Sequence, residues 1–229
     1  MQRRNRGAVI GNEVAVAQAA HSLELIEMLS SPNPCARSVA AIAIGKRKDL
    51  LFAKNLCDAL SIEKSLYTKI YICEALVNIG IAALPIMIPY IGKIGTNQHT
   101  IVPSQTFKKL SYPLPRDIVI RTIVRMGKET LPLLRSTLLT ASGEIVREVV
   151  DAIGHISFYS KDTESLPLLI DIVRRFPKDC VIEWKVIRAL QAFPQKESID
   201  MLNHCVTKST NDAIRDEARR SLKILGVKN

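Results

Sequence analysis

The residues that could build a catalytic or metal-binding site are few and scattered along this chain. The sequence contains four histidines and five cysteines, and the cysteines form no CxxC pair. A zinc site requires clustered ligands, and nucleophilic catalysis requires a base close to its nucleophile. No P-loop, GxGxxG, HExxH or serine–histidine–acid pattern occurs in the sequence. We therefore expect a non-catalytic protein that uses no metal and no cofactor.

The cysteines and the apolar segments both indicate a cytoplasmic protein. An odd number of cysteines without a disulfide framework is typical of reduced thiols that fill a protein core. Residues 75–92 carry no charge, but Gly80 and Pro85 interrupt the run at a predicted helix junction. Asn12 and Glu13 interrupt the apolar run that a signal peptide would need after the basic start of the chain. We expect no membrane association.

Basic residues carry the remaining chemical information. The chain has 32 Lys and Arg against 22 Asp and Glu, which gives a formal net charge of +10. A surplus of this kind attracts anionic partners over long distances. The candidates for partner binding lie in the second helices of the pairs described next and in one inserted segment: Phe107, Lys108, Lys109, Arg121, Arg125, Lys185, Arg188, Arg215 and Arg219.

A recurring Leu-Pro phrase shows how the chain positions these bases. Gly80 precedes Pro85 at the same spacing as Gly127 precedes Pro132, and Leu-Pro returns without the glycine at Pro167. Glycine commonly ends a helix, and proline fits the first turn of the next one. Helix ends that recur about every 30 to 45 residues are typical of a solenoid.

The pattern divides the chain into about six pairs of helices. Apolar residues recur at helical spacing in the second helices, as at Val146, Val149, Val150 and Ile153. A base lies near the start of every second helix, and most of these bases follow an acid by a few residues. The first helices are predicted at about 12–29, 50–60, 81–92, 128–140, 162–175 and 195–207, and the second helices at about 34–47, 64–79, 115–126, 143–157, 179–192 and 211–225. The recurring bases are Arg37, Lys69, Arg121, Arg147, Lys185 and Arg215, and the acids are Glu63, Asp117, Glu144, Asp179 and Asp212.

The last pair resembles a HEAT repeat. The run from Asp212 to Gly226, with Arg215, Ala218 and Leu222 at their expected places, is similar to the consensus of the short bacterial and archaeal repeats first noted in phycobilin lyases. Residues 143–154 are a looser match. The resemblance implies an all-α superhelix, or solenoid, whose second helices line a concave surface. It also implies acid–base pairs that link neighbouring repeats.

Residues 94–114 lengthen the third helix pair beyond the spacing seen earlier in the chain, and they form a predicted inserted loop. Gly80 and Gly127 are 47 residues apart, whereas Gly45 and Gly80 are 35 apart. The insertion contains two prolines and many small polar residues, and Pro115 follows it directly. Long insertions in repeat arrays often lie on a binding face, but surface loops also tolerate extra length at little entropic cost. Both interpretations remain open, and Phe107 with Lys108 and Lys109 is the part to examine.

We expect one HEAT-repeat domain over residues 1–229, with a basic N-terminal arm at 1–11. Its predicted function is a non-catalytic scaffold that presents a moderately basic concave surface to a protein partner with an acidic surface. Binding of nucleic acid through the phosphate backbone is the alternative. DNA glycosylases of the HEAT-like type resemble one another in having several tryptophans and tyrosines around a catalytic aspartate, whereas this chain has only Trp184. A lyase activity is also less favoured, because no residue can be assigned to it.

Overall fold

The structure is a computed structural model that describes residues 2–105 and 107–227, without the side chains of Gly11 and Asn12. All regular structure in the described residues is helical, which confirms the predicted all-α class. The chain divides into two compact units, Met1–Gly95 and Thr96–Asn229. The single domain over 1–229 stays a prediction. Met1 of the arm and Thr106 of the insertion lie outside the described residues.

The first unit, Met1–Gly95, is built from two layers of helices. Helix α3 packs along α5, while α1 and α2 cover α3 and α4 covers α5. The α3–α5 contact is close because Gly45 has no side chain, and a Cβ atom there would lie 2.8 Å from the Cα atom of Ala75. The helices are Gly11–Gln18 (α1), Ser22–Leu29 (α2), Pro34–Arg47 (α3), Ala53–Ile62 (α4), Leu66–Ile79 (α5) and Leu84–Met87 (α6).

The second unit, Thr96–Asn229, repeats this arrangement over more helices. Its helices are Ile118–Ile123 (α7), Leu131–Thr140 (α8), Gly143–Ser160 (α9), Leu166–Arg175 (α10), Cys180–Ala189 (α11), Lys196–Lys208 (α12) and Asp212–Ile224 (α13). Helices α7, α9, α11 and α13 pack side by side and form the second-helix layer. Helices α8, α10 and α12 pack against α9, α11 and α13 from the other side.

The predicted helix junctions are confirmed at the Leu-Pro phrases of residues 84–85, 131–132 and 166–167. Gly80 and Gly127 adopt φ angles of 86° and 87°, a region that glycine reaches without steric cost. Each glycine is followed by one 3-10 turn and then by a helix with proline in its first turn, α6 and α8 respectively. Helix α10 likewise begins at Leu166 with Pro167 in its first turn.

Polar residues in the connecting turns cap the second helices. The side chain of Asn33 accepts a hydrogen bond from the backbone N–H of Cys35, and α3 begins at the next residue after Asn33. Asp179 and Asn211 each accept from two backbone N–H groups at the starts of α11 and α13. Such caps satisfy N–H groups that have no partner inside the helix.

Two predicted first helices are wrong in extent. The predicted helix 12–29 is broken into α1 and α2, and the Arg47 guanidinium donates to the carbonyls of Gln18 and Ala20 that the break exposes. The predicted helix 81–92 is the four-residue α6 between two 3-10 turns, because Pro89 lacks a backbone N–H to continue it.

No single helix among the described residues is long and apolar enough to cross a membrane. Only α5 taken together with the segment Ile81–Tyr90 reaches that length and composition, and these two parts are bent by 108°.

The predicted N-terminal arm lies against α3. Arg4–Arg6 form a 3-10 turn, and the thiol of Cys35 donates to the carbonyls of Arg4 and Ala8 at 3.2 and 3.5 Å. Arg3, Arg4 and Arg6 are exposed, so the arm keeps its basic surface while its backbone is held.

Two of the six recurring bases, Arg37 and Arg147, pair with an acid at the start of the next second helix. The guanidinium of Arg37 on α3 binds both carboxylate oxygens of Glu63, just before α5, at 2.7 and 2.9 Å. Arg147 on α9 lies 2.6 Å from Asp179, which also caps α11. Each pair therefore joins a helix to the start of the next helix in the same layer.

Candidate functional site: a charged cluster beneath the inserted segment

The insertion packs against the second-helix layer of its own unit. The guanidinium of Arg220 on α13 donates to the backbone carbonyls of Lys109 and Ser111 at 2.9 and 3.0 Å. The same guanidinium lies 5.2 Å from the centre of the Phe107 ring. At the other end of the segment, the His99 ring meets the Trp184 ring edge-on at 4.9 Å. The segment is therefore attached to the helices at several points along its length.

Tyr112 is the deepest contact between the insertion and the helices. Its side chain is only 4% exposed, and its ring packs against those of His155 and Phe158 on α9. The hydroxyl lies so close to Gly154 that no Cβ atom would fit there. Burial, followed by the nearby Asp151 carboxylate, raises the pKa of the Tyr112 hydroxyl well above its usual value. The hydroxyl therefore stays protonated at neutral pH and is able to donate a hydrogen bond.

Beside Tyr112, the second-helix layer contains a buried cluster of charges. The ammonium of Lys185 on α11 is fully buried and lies 2.7 Å from Glu148 and 2.9 Å from Asp151, both on α9. Burial raises the pKa of Glu148, and the nearby Lys185 ammonium opposes that shift. Because an unpaired charge in this environment would be costly, the three groups depend on one another.

Two arginines continue the cluster toward α13. Arg188 is 6% exposed, and its guanidinium lies 3.8 Å from the centre of the Trp184 ring. Its Nε atom is 3.5 Å from Glu217, which is an ion-pair distance without the alignment of a hydrogen bond. Glu217 is also bound by Arg220 at 2.8 Å. Glu217 therefore balances charge from both arginines inside the layer.

Several polar atoms of the cluster have no hydrogen-bond partner among the described residues. They include Oδ1 of Asp151, Nε of Arg188, the Tyr112 hydroxyl and Nδ1 of His99. Burial, followed by the nearby Lys185 charge, lowers the pKa of His99 to about 4, so this imidazole is neutral at pH 7. Buried polar atoms normally find partners, so each of these four has an unmet hydrogen-bonding capacity.

These four residues line a cavity of about 1020 Å³ between the insertion and the helices. Its outer wall comes from the insertion, including Phe107 and Pro113, and from Pro115, which follows the insertion. Lys108, Lys109 and Arg116 also line it, and these three side chains are exposed. The cavity therefore combines a buried polar floor, a partly apolar wall and a basic rim.

The structure places the predicted binding residues in different environments, and four of them are buried or paired with acids. Lys185 is the clear correction: it lies in the core, where its charge is neutralised by two carboxylates, and it presents nothing to a partner. Arg188 is also buried but borders the cavity. Arg215 and Arg219 both pair with acids on their own helix, Asp212 and Asp216.

The remaining predicted residues lie at the surface of the second unit. Arg121, Arg125, Lys108 and Lys109 are exposed, and Phe107 is half-buried beneath Arg220. Sequence reasoning missed four residues that form the site: the acids Glu148 and Asp151, the aromatic Tyr112 and the small Gly154. The only available signal was Arg116, a base next to the insertion that the same charge argument would have included.

The described residues contain no group of three or more His, Cys, Asp or Glu side chains arranged to hold a metal ion. The five cysteines form no disulfide within the described residues, and four are buried, in line with the predicted core role. Burial raises the pKa of Cys57 to about 12 and that of Cys205 to about 11, so neither thiol is ionised at neutral pH. Cys180 is the exception, because it is exposed at the start of α11.

No protein-family model and no curated protein matches this chain. Among solved structures, it is similar to the crystal structure of an engineered protein from the Northeast Structural Genomics Consortium. The sequence identity is 14% and the TM-score 0.39, over 91% of this chain and 100% of the engineered one. A likeness at this level supports no statement about architecture or function.

Proposed function

We propose that the chain is a non-catalytic, HEAT-like helical-repeat scaffold that binds a partner protein with an acidic surface. The repeated helix pairs support the solenoid part of this proposal. Arg37 with Glu63 and Arg147 with Asp179 form the same link between successive second helices in the two units. A regular link of this kind is what a chain of stacked repeats needs at each interface.

The observation that carries the binding part is a set of exposed bases, here called the basic edge: Lys108, Lys109, Arg116, Arg121 and Arg125. None of the five forms an ion pair within the described part of the chain. Arg121 donates from Nε to the backbone carbonyl of Pro115, the residue before Arg116. Arg125 follows Arg121 by about one helical turn.

Unlike the basic edge, the bases of the buried cluster are paired with acids. Lys185, Arg188 and Arg220 are balanced by Glu148, Asp151 and Glu217, so their charge has little effect outside the protein. Exposed bases without acids attract an acidic surface and increase its rate of association. The basic edge is therefore the surface to which we assign the partner.

The test is fluorescence anisotropy of a labelled polyglutamate peptide with the full chain, at about 50 to 200 mM salt. The peptide should bind at low salt, and the double variant R121E/R125E should weaken its binding. The matched control is K196E/K208E, which changes the net charge equally at two exposed lysines of α12. The control should retain more affinity than R121E/R125E, because its charges lie outside the basic edge.

Duplex DNA and single-stranded RNA are measured in the same salt series. If these bind tightly while polyglutamate does not, the partner is nucleic acid and the protein-partner proposal is wrong. Equal loss of affinity in R121E/R125E and K196E/K208E would show that only net charge matters, and would remove the basic edge as a site.

A further inference from the structure

The floor of the cavity beneath the insertion has hydrogen-bonding groups that the protein itself does not use. Lys185 lies 2.9 Å from Oδ2 of Asp151, which leaves Oδ1 without a partner. Nε of Arg188 and the hydroxyl of Tyr112 also lack hydrogen-bond partners. All three side chains are more than nine-tenths buried, and all three border the cavity. Convergent buried polar groups of this kind are typical of a small-molecule site.

The chemistry of the floor fits the edge of a nucleobase. Oδ1 of Asp151 accepts hydrogen bonds, while the guanidinium of Arg188 can donate them. Cytosine and adenine present an exocyclic amino donor beside a ring acceptor, and carboxylates commonly accept from such amino groups. An aspartate next to a donor is therefore complementary to an amino-bearing base.

The wall and the rim supply the other two features that a nucleotide needs. The rings of Phe107 and His99 border the cavity, and aromatic side chains stack on nucleobases. Lys108, Lys109 and Arg116 lie at the exposed rim, where cations bind phosphate oxygens. The volume of about 1020 Å³ is at the upper end of the range for small-molecule sites.

We propose that this cavity binds a free nucleoside phosphate whose base carries an exocyclic amino group. The base lies on the floor against Asp151 and Arg188, and the phosphate lies at the lysine-lined rim. This inference goes beyond the scaffold function and does not depend on it, because it concerns a small molecule held within one unit. The same chemistry could come from the end of a single-stranded nucleic acid, and the test distinguishes the two sources.

The first experiment is isothermal titration calorimetry of the full chain with CMP, UMP, cytidine and a short oligocytidylate. CMP and UMP form the sharpest comparison, since cytosine carries a 4-amino group beside an N3 acceptor where uracil carries a 4-carbonyl beside an N3–H donor. We expect CMP to bind about tenfold or more tightly than UMP, because the carbonyl of UMP would face the Asp151 carboxylate. Cytidine should bind more weakly than CMP because it lacks the phosphate.

Three variants test the parts of the site separately. D151N should remove the preference for CMP over UMP, since the amide replaces an acceptor-only group. F107A should weaken CMP and UMP alike, by about tenfold, because stacking does not distinguish the bases. K108E/K109E should weaken CMP but leave cytidine unchanged, whereas the control K196E/K208E should leave both unchanged.

Asp151 also pairs with Lys185, so the fold of D151N is checked by circular dichroism, and F107A and K108E/K109E test the site independently of that pair. Equal affinities for CMP and UMP, or no binding of CMP at about millimolar concentration, would overturn the proposal. Binding of oligocytidylate without binding of CMP would assign the site to single-stranded nucleic acid and would also overturn it. Polyglutamate binding at the basic edge is measured separately, so the two proposals can fail independently.

Discussion

The hydroxyl group of Tyr112 lies in the space beside Gly154 that a Cβ atom would occupy, and the Cβ atom of Ala189 borders the same space at 2.8 Å. Gly154→Ala should therefore overpack the contact between α9, α11 and the insertion. We expect the free energy of unfolding to fall by about 1 to 3 kcal/mol, despite the better helix propensity of alanine. Urea denaturation followed by circular dichroism measures the change.

Gly143→Ala is the matched control for this substitution, since both glycines lie in α9. A Cβ atom at Gly143 would lie 3.7 Å from Phe176, which is ordinary van der Waals contact. This variant should be as stable as the wild type or slightly more stable. Equal effects of G143A and G154A would contradict the placement of Tyr112 against α9.

Replacing Lys185 tests the buried charge cluster. Lys185→Met keeps the side-chain length but leaves Glu148 and Asp151 buried without their shared cation. We expect the free energy of unfolding at pH 7 to fall by about 3 to 5 kcal/mol. The loss should shrink at acidic pH, because burial raises the pKa of Glu148 and protonation of that carboxyl group removes part of the uncompensated charge. Urea unfolding at several pH values measures both effects.

Lys54→Met is the control for this substitution, because it makes the same change at an exposed lysine. Lys54 and Asp58 pair on α4 with side chains that are 63% and 53% exposed, so water replaces the lost contact. The unfolding midpoint of the K54M variant should stay near that of the wild type. A K185M variant no less stable than K54M would show that Lys185 is not buried between its two carboxylates.

Glu63 should make the stability of the first unit depend on pH. Burial alone would raise the pKa of Glu63, but hydrogen bonds from Arg37 and from the backbone N–H of Ser65 outweigh it, and the pKa is lowered. A lowered pKa gives stability that is present above the unfolded value of about 4.3 and is lost as the pH falls through the folded value.

The variant Glu63→Gln should be less stable than the wild type at pH 7 by about 1.5 to 3 kcal/mol. That difference should decrease as the pH falls below about 4.3, because Glu63 then takes up a proton in the unfolded chain before it does so in the folded one. Asp212→Asn is the control, since Asp212 is 83% exposed and pairs only within its own helix. A pH-independent difference between E63Q and wild type would rule out an ionised Glu63 as the stabilising partner.

His99 should report the environment of the cavity through Trp184, the only tryptophan of the chain. The pKa of His99, about 4, lies below the ordinary histidine value near 6.5. The neutral ring therefore contributes stability that is complete above about pH 6.5 and is lost as the pH falls toward 4.

Trp184 fluorescence should accordingly change with a midpoint near pH 4, since protonation of His99 places a charge against the indole. His99→Phe should abolish this transition and keep the ring contact. His155→Phe should preserve the transition, because His155 packs on Tyr112 and Tyr159 instead. A transition that persists in H99F would show that His99 does not lie against Trp184.

The helices were predictable where local signals mark their ends. Helix α3 runs over Pro34–Arg47, as predicted, because Asn33 caps it and Pro34 fits its first turn. The break between α1 and α2 was not predictable, because it contains no glycine or proline and depends on Arg47 from another helix. The extent of a helix is therefore readable only when its own residues end it.

The candidate site was less predictable than the helices. Lys185 and Arg121 occupy equivalent places in the repeat pattern, yet Lys185 is fully buried and Arg121 is exposed. The difference arises because α9 supplies two carboxylates to Lys185, whereas Arg121 binds only a backbone carbonyl. Spacing along one helix contains no information about the acids that a neighbouring helix provides.

The sequence by itself determined the all-α class, the position of most second helices and the existence of an insertion, since these depend on residues close together in the chain. Only the tertiary structure decided which charges are buried and where the insertion lies. Those outcomes depend on the desolvation of groups far apart in sequence, such as Tyr112 with Gly154 and Lys185 with Asp151. A charge is favourable in the core only when packing brings its partner, and that partner is known only once the helices are assembled.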